Sequence, residues 1–189
     1  MTDHYYLTKQ TVNEYIKMAK GFDGRDLIEK LKGFLPEHSS VLELGSGPGV
    51  DLEILSETYD VTGSDFSQHF LDFISSKLPE VGLLLLNAVT LDTQKNFDCI
   101  YSNKMLQHLT NDALQLSIKK QSSILNNGGI VYHSFWKGEE CYEIKNALFN
   151  HHLEEDLDEF FSPHFEILLL EAYEEMEEDD SILFIGKKN

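Results

Sequence analysis

Cysteine is scarce in this chain: two residues, Cys99 and Cys141, among 189. Two thiols do not make a disulfide framework, and Cys99 lies in an apolar run where it reads as a small core residue. Long apolar stretches are missing too. None approaches the roughly 20 residues that cross a bilayer, so no membrane span is expected. The opening Met1-Thr2-Asp3-His4-Tyr5-Tyr6 lacks the basic flank and apolar core of a secretory signal. Together these absences point to a cytosolic, reduced protein. Basic residues are few, 15 against 33 acidic, which leaves a net charge of −18. Nucleic acid is thereby excluded as a partner, because its phosphates require a basic surface, and anionic membranes are excluded with it. The pair His151-His152 has no partner ligands at useful spacing, so no metal is expected.

What is present is an ordinary globular mix, 41% hydrophobic and 25% charged. The length favours one domain, residues 1–189, with a sizeable core. Acids crowd the last third, from Glu139 through Glu154-Glu155-Asp156 to Glu177-Glu178-Asp179-Asp180. They read as a solvated face and an acidic loop, or as a surface that draws a cationic substrate or basic partner.

The densest information lies in Val41-Leu42-Glu43-Leu44-Gly45-Ser46-Gly47-Pro48-Gly49. A short apolar run ends in three glycines at alternate positions, and a helix pattern follows at once. Sixteen residues beyond Gly49 stands Asp65, closing a second short run, Asp60 to Ser64. Strand, glycine loop, helix, strand and acid make a βαβ unit that builds a nucleoside pocket. Backbone approaches the ligand where side chains are missing, and a carboxylate meets the ribose hydroxyls.

Further pairs of elements follow in alternation. The third strand is predicted over Gly82-Leu83-Leu84-Leu85-Leu86, apolar throughout as if buried on both faces. The fourth is Phe97 to Ser102, and the fifth runs from about Gly129 to Phe135. Helices are predicted from a capping box at Thr11-x-x-Glu14, from Asp23, from Ser67, and over Asn111 to Leu125. More helix is expected between Cys141 and Phe161. Two apolar runs, Phe165 to Ala172 and Ser181 to Gly186, lie too close for a helical crossover and must pair as an antiparallel hairpin. The expected fold is therefore α/β: a Rossmann-like three-layer sandwich with a seven-stranded, mostly parallel sheet and a C-terminal antiparallel hairpin. An N-terminal helical cap, 1–38, precedes the core, 39–189.

These pieces in this order resemble the class I S-adenosylmethionine-dependent methyltransferases. The resemblance rests on Val41 to Gly49, Gly63-Ser64-Asp65-Phe66-Ser67, Asn87-Ala88, Phe97 to Asn103 with Leu106-Gln107-His108-Leu109, and Leu125 to Val131. It implies S-adenosylmethionine as cofactor. Gly45, Ser46, Gly47 and Gly49 would leave room for its methionine portion and ribose, and Glu43 would reach its amino group. Asp65 would accept from both ribose hydroxyls, Phe66 would cover adenine, and Asn87 and Ala88 would meet the adenine edge. Many relatives carry aspartate in place of Asn87, so a weaker, uncharged acceptor stands there. Asn103 would line the methyl-bearing sulfur, or merely turn the chain. Candidate bases are His108 and His133, each with a structural reading beside the catalytic one. Tyr5 and Tyr6 would fold over the cofactor toward the substrate, and Trp136 would edge the acceptor pocket or cover the core.

The nearest competitor is a nicotinamide-binding domain. Its usual GxGxxG would place the last glycine at position 50, which is Val50. The implied function is methyl transfer to a small-molecule acceptor by in-line displacement. A non-catalytic cofactor-binding or scaffold protein on the same fold is the alternative.

Overall fold

The computed structural model describes residues 4–189, with side chains from Tyr6 onward. The chain opens on a 3-10 turn, His4–Leu7, then α1 (Lys9–Met18) and α2 (Arg25–Leu31). The alternating part follows: β1 (Ser40–Leu44), α3 (Val50–Leu55), β2 (Asp60–Asp65), α4 (Gln68–Lys77), β3 (Gly82–Leu85), β4 (Phe97–Asn103), a 3-10 turn at Leu106–His108, α5 (Asn111–Ile124) and β5 (Leu125–Trp136). A small hairpin, β6 (Cys141–Ile144) and β7 (Ala147–Asn150), comes next. Then come α6 (Glu154–Phe161), β8 (Phe165–Tyr173) and β9 (Ser181–Lys188). No helix among the described residues is long and apolar enough to cross a membrane.

The seven-stranded sheet runs β3-β2-β1-β4-β5-β9-β8. Pairing from β3 to β5 is parallel, and β9 enters antiparallel between β5 and β8. The expected terminal hairpin is thus present and sits beside the fifth strand. Alternation along the strands makes the three layers. Leu42, Ile100, Val131, Phe135 and Phe184 face α5 and α6, in a core with Leu114, Ile118, Leu157 and Phe161. Their sequence neighbours Val41, Cys99, Tyr101, Ile130, Tyr132 and Leu183 face the other way, packing with Ile28, Leu31, Leu52, Leu55 and Ile74 from α2 to α4. A strand that is apolar at every position can serve both faces at once.

Four expectations need correction. The third strand is apolar but lies at the sheet edge, and Leu85 is 58% exposed. Gly82 and Leu85 are exposed and Leu83 and Leu84 only half-buried, so this edge strand is not buried on both faces despite its apolar sequence. The first helix is capped by Thr8, whose Oγ1 accepts from the Thr11 amide, rather than by Thr11. The second begins on Gly24, with Asp23 accepting from Arg25 N one residue earlier. Between Cys141 and Asn150 stands the β6–β7 hairpin rather than helix. Its turn residues Lys145 and Asn146 both have left-handed φ, 52° and 65°. Asparagine adopts that conformation more readily than most residues, and a tight hairpin with the right-handed strand twist demands it at both turn positions. Helix is found only afterwards, in α6.

Candidate functional site

Parallel strands end together, so β1, β2 and β4 deliver their last residues to one edge of the sheet, where α/β ligands bind. There an open cleft has two lobes. The first lobe is bounded by Asp65, Phe66 and the segment Leu86 to Val89. The second has Glu43 and Asp51 at its floor and Trp136, Phe149 and Met176 around it. Tyr6, Tyr15, Gly45, Gly47, Asn103 and His108 line both lobes and form the waist between them.

The glycine loop turns sharply after β1, and its three glycines serve different ends. Gly45 has φ 69°, and an added Cβ would run into the Met105 side chain. Gly49, the residue before α3, would press on Ile74 at 3.0 Å and lines neither lobe. Gly47 alone faces space: with φ 48°, its missing Cβ would meet nothing closer than Tyr15 at 3.8 Å. Of the three glycines expected to make room for a ligand, Gly45 and Gly47 line the cleft, and Gly49 lies behind it against Ile74. Ser46 is buried, its hydroxyl accepting from Ser64 N at 3.1 Å to tie the loop to β2.

Two carboxylates form the floor. Asp65 is buried; Oδ2 accepts from Gly47 N at 3.0 Å and Oδ1 from Ser67 N at 2.8 Å. Each oxygen keeps a further lone pair. Burial pushes Asp65 up to about 6, against those amide bonds. Glu43 is buried more severely, and its Oε2 has no hydrogen-bond partner. Desolvation first, then the neighbouring Asp51, pushes Glu43 up to about 8. A buried carboxyl left in this state calls for a cation or a donor.

Asp51 is a residue that local reading of the sequence missed. Its position in the first turn of α3 suits it to the helix dipole, yet it is a buried hub. Oδ1 accepts from Gly24 N at 2.7 Å, and Oδ2 accepts from Tyr101 OH at 2.8 Å and Asn103 Nδ2 at 3.0 Å. Asn103 Oδ1 in turn accepts from Ser134 Oγ at 2.5 Å. This network binds the N-terminal segment to the end of β4 and fixes Asn103 at the waist. Lys104 was also missed. Its φ is 51°, and its ammonium lies 3.7 Å over the Trp136 ring while donating to Phe135 O and to Glu175, each at 3.0 Å. Burial lowers Lys104 to about 8, partly offset by Glu175. Trp136 is half-buried and lines the second lobe.

The other expected residues separate cleanly. Tyr6 lies over the cleft: Ser67 Oγ donates to its carbonyl at 2.6 Å, and its ring is 5.9 Å from His108 and 6.5 Å from Phe66. Tyr5 belongs to the same turn, but its side chain lies outside the described residues. Phe66 lines the first lobe, as do Asn87 and Ala88. Asn87 Oδ1, expected to face adenine, accepts from Val89 N at 2.8 Å and so shapes its own turn, with a second lone pair left on that oxygen. His108 stands at the waist, with Nδ1 2.6 Å from Leu148 O. A carbonyl only accepts, so Nδ1 carries the proton and a neutral ring keeps its basic lone pair on Nε2.

His133 does not belong to this group. It is fully buried, lines neither lobe, and is depressed by burial to about 3. It sits in a chain of one-way hydrogen bonds. Ser117 Oγ donates to Ala88 O at 2.6 Å and accepts from Gln121 Nε2 at 3.1 Å. Gln121 Oε1 accepts from His133 Nε2 at 2.8 Å, and Ser102 Oγ donates to His133 Nδ1 at 2.8 Å. The relay runs inside the protein from β4, one residue before Asn103, to the wall of the first lobe. Its members are contributed by β4, β5 and α5, so no local sequence pattern announces it.

The methyltransferase-domain family model matches residues 41–129. That span covers β1 through the start of β5 and includes both carboxylates and the glycine loop. Among solved structures, an S-adenosylmethionine-dependent methyltransferase from Clostridium acetobutylicum superposes with a TM-score of 0.78 at 15% identity, over 93% of this chain and 98% of that one. An amino pentose methyltransferase from Micromonospora echinaspora, solved with S-adenosylmethionine bound, gives 0.75 at 16%, over 94% and 97%. The 1,6-didemethyltoxoflavin-N1-methyltransferase of Burkholderia thailandensis gives 0.74 at 19%, over 100% and 91%.

Proposed function

We infer, for a chain whose core is a methyltransferase-family domain on the class I S-adenosylmethionine-dependent methyltransferase fold, that it transfers a methyl group from S-adenosylmethionine to a small-molecule acceptor. The observation that carries this reading is a pair of buried carboxylates, Asp65 lining the first lobe and Glu43 lining the second. Asp65 has lone pairs for two hydroxyl donors, which a ribose supplies. Glu43 has an unpartnered oxygen and a raised pKa, which an amino-acid ammonium would relieve. The residues present fit the cofactor.

When bound, S-adenosylmethionine supplies a methyl group on a positively charged sulfur. The chain's own contribution is placement and dryness. Asp65, with the Gly47 and Ser67 amides behind it, holds the ribose end in the first lobe, and Leu86 to Val89 wall the base. Glu43 holds the ammonium beneath the second lobe. Asn103, fixed by Asp51 and Ser134, occupies the waist. Holding two reactants in line there is worth about 7–11 kcal/mol of barrier. His108 Nε2 takes the proton of a hydroxyl or ammonium acceptor. His133 and its relay position Ala88 and take no part in proton transfer. The structurally similar enzymes include an amino pentose methyltransferase and a 1,6-didemethyltoxoflavin methyltransferase, which supports a small molecule here. A cytosolic setting and one domain of cap plus core belong to the same proposal.

The test pairs binding with turnover. S-adenosylhomocysteine at about 100 times its dissociation constant should stabilise the fold by roughly 2.7 kcal/mol. Labelled methyl groups should pass into a metabolite extract. His108→Gln should keep the melting shift and slow the transfer by about 10²–10⁴-fold. No melting shift with the wild type would refute the cofactor site. A shift without transfer to any metabolite would favour a binding-only protein.

A further inference from the structure

The rim of the second lobe carries information that methyl transfer alone does not require. Ten large hydrophobic side chains are exposed on the described surface. Scattered single ones are normal, but four of these converge. Met18 is 63% exposed, Phe22 61%, Ile144 53% and Met176 59%, and all four border the second lobe. They come from four separate segments: the end of α1, the link to α2, the β6–β7 hairpin and the β8–β9 loop. Convergence of this kind marks a binding surface.

The charges on the same lobe are already engaged. Glu175 pairs with Lys104 at 3.0 Å, and that lysine also donates to Phe135 O and packs on Trp136. Asp51 accepts three hydrogen bonds from its own chain. Asp23 accepts from Arg25 N at 3.1 Å. Lys145 has a partner as well. Glu43 is taken by the ammonium in the reading above. The wall therefore offers apolar and aromatic surface and, among its described residues, no free cation to receive an anionic body, while the net charge of −18 repels anions before they arrive.

Building on the methyl-transfer reading of this cleft, we propose that the acceptor is an amphipathic molecule without an anionic group, whose apolar body rests on Met18, Phe22, Ile144 and Met176 and whose nucleophilic heteroatom points inward to His108. The four side chains lie on separate segments, so they can adjust to the ligand body, and methionine does so more freely than branched residues. An anionic body would enter a wall whose Lys104 is already paired with Glu175 and be disfavoured by desolvation.

The protein contains its own reporter, because Trp136 is the sole tryptophan and lines this lobe. With S-adenosylhomocysteine saturating, N-phenyl-1-naphthylamine is titrated while energy transfer from Trp136 is followed. Its sulfonated counterpart, 8-anilino-1-naphthalenesulfonate, serves as the anionic competitor. The neutral probe should bind saturably with transfer from Trp136, and the sulfonate at least about tenfold more weakly. The double variant Phe22→Ser/Met176→Ser should weaken the neutral probe by about tenfold or more and leave S-adenosylhomocysteine affinity unchanged. Equal or tighter binding of the sulfonate, absence of energy transfer, or an unaltered double variant would overturn the proposal. Failure of the wild type to bind S-adenosylhomocysteine would be seen before any probe is added and would remove the underlying reading as well.

Discussion

The two lobes of the cleft are built in opposite ways. The first is walled by strand ends and by backbone held from behind: amides grip Asp65, Asn87 closes its own turn, and a buried relay reaches from Ser102 to Ala88. The second is rimmed by loop and hairpin residues, four of them largely exposed apolar side chains. The lesson concerns which ligand each can hold. Rigid backbone and fixed carboxylates suit one invariant group, and adjustable side chains on separate segments suit a ligand that is selected by its body.

The sharpest way to break this contrast is Asp65→Ala. Hydrogen bonds to charged groups are worth about 1.5–3 kcal/mol each, so losing two should weaken S-adenosylhomocysteine by roughly a hundredfold or more. The neutral naphthyl probe should still find the second lobe. Calorimetry showing unchanged cofactor affinity would remove Asp65 from the site and dissolve the distinction between the lobes.

A smaller effect is expected behind the wall. His133→Phe keeps the ring volume but strands the Ser102 hydroxyl and Gln121 Oε1 in the core. Orphaned buried groups cost about 1–3 kcal/mol each, so stability should fall by about 2–4 kcal/mol. The melting temperature should drop by roughly 5–15 °C for a chain of this size. Transfer rate at saturating cofactor and acceptor should change little, because the ring does not reach the waist. A large loss of rate with no loss of stability would return His133 to the catalytic set.

The same contrast explains what could be read without a structure. The first lobe was legible because its parts are local: an apolar run, glycines at Gly45 and Gly47, and an acid ending the next strand. The order of strands and the terminal hairpin were legible for the same reason, since spacing alone forbids a crossover helix between Phe165 and Gly186. The second lobe was not legible. Asp51 looks like a helix-dipole charge until Gly24, Tyr101 and Asn103 arrive from elsewhere in the chain. Lys104 is one basic residue after a strand until Trp136 and Glu175 close on it. The β6–β7 hairpin hides in a stretch whose acids and aromatics suit helix equally well, and only Lys145-Asn146 hints at the turn. Gly49 fits the motif yet serves packing against Ile74, because motif spacing does not say which glycine faces the ligand.

The floor joins the two lobes, and its protonation gives the most direct measurement. At pH 7 Asp65, at about 6, is mostly ionised, and Glu43, at about 8, is mostly protonated. Both values lie above the ordinary carboxylate range. The unliganded fold is therefore favoured on the acid side, and this contribution is lost as pH rises through about 6 and then about 8. An ammonium placed beside Glu43 stabilises its ionised form and drives its proton off. S-adenosylhomocysteine binding should accordingly be measured by calorimetry at pH 7 in buffers of different ionisation enthalpy. The account expects one site per chain, release of nearly one proton on binding, and loss of that release in Glu43→Gln. Absence of binding, or binding with no proton released by the wild type, would contradict it.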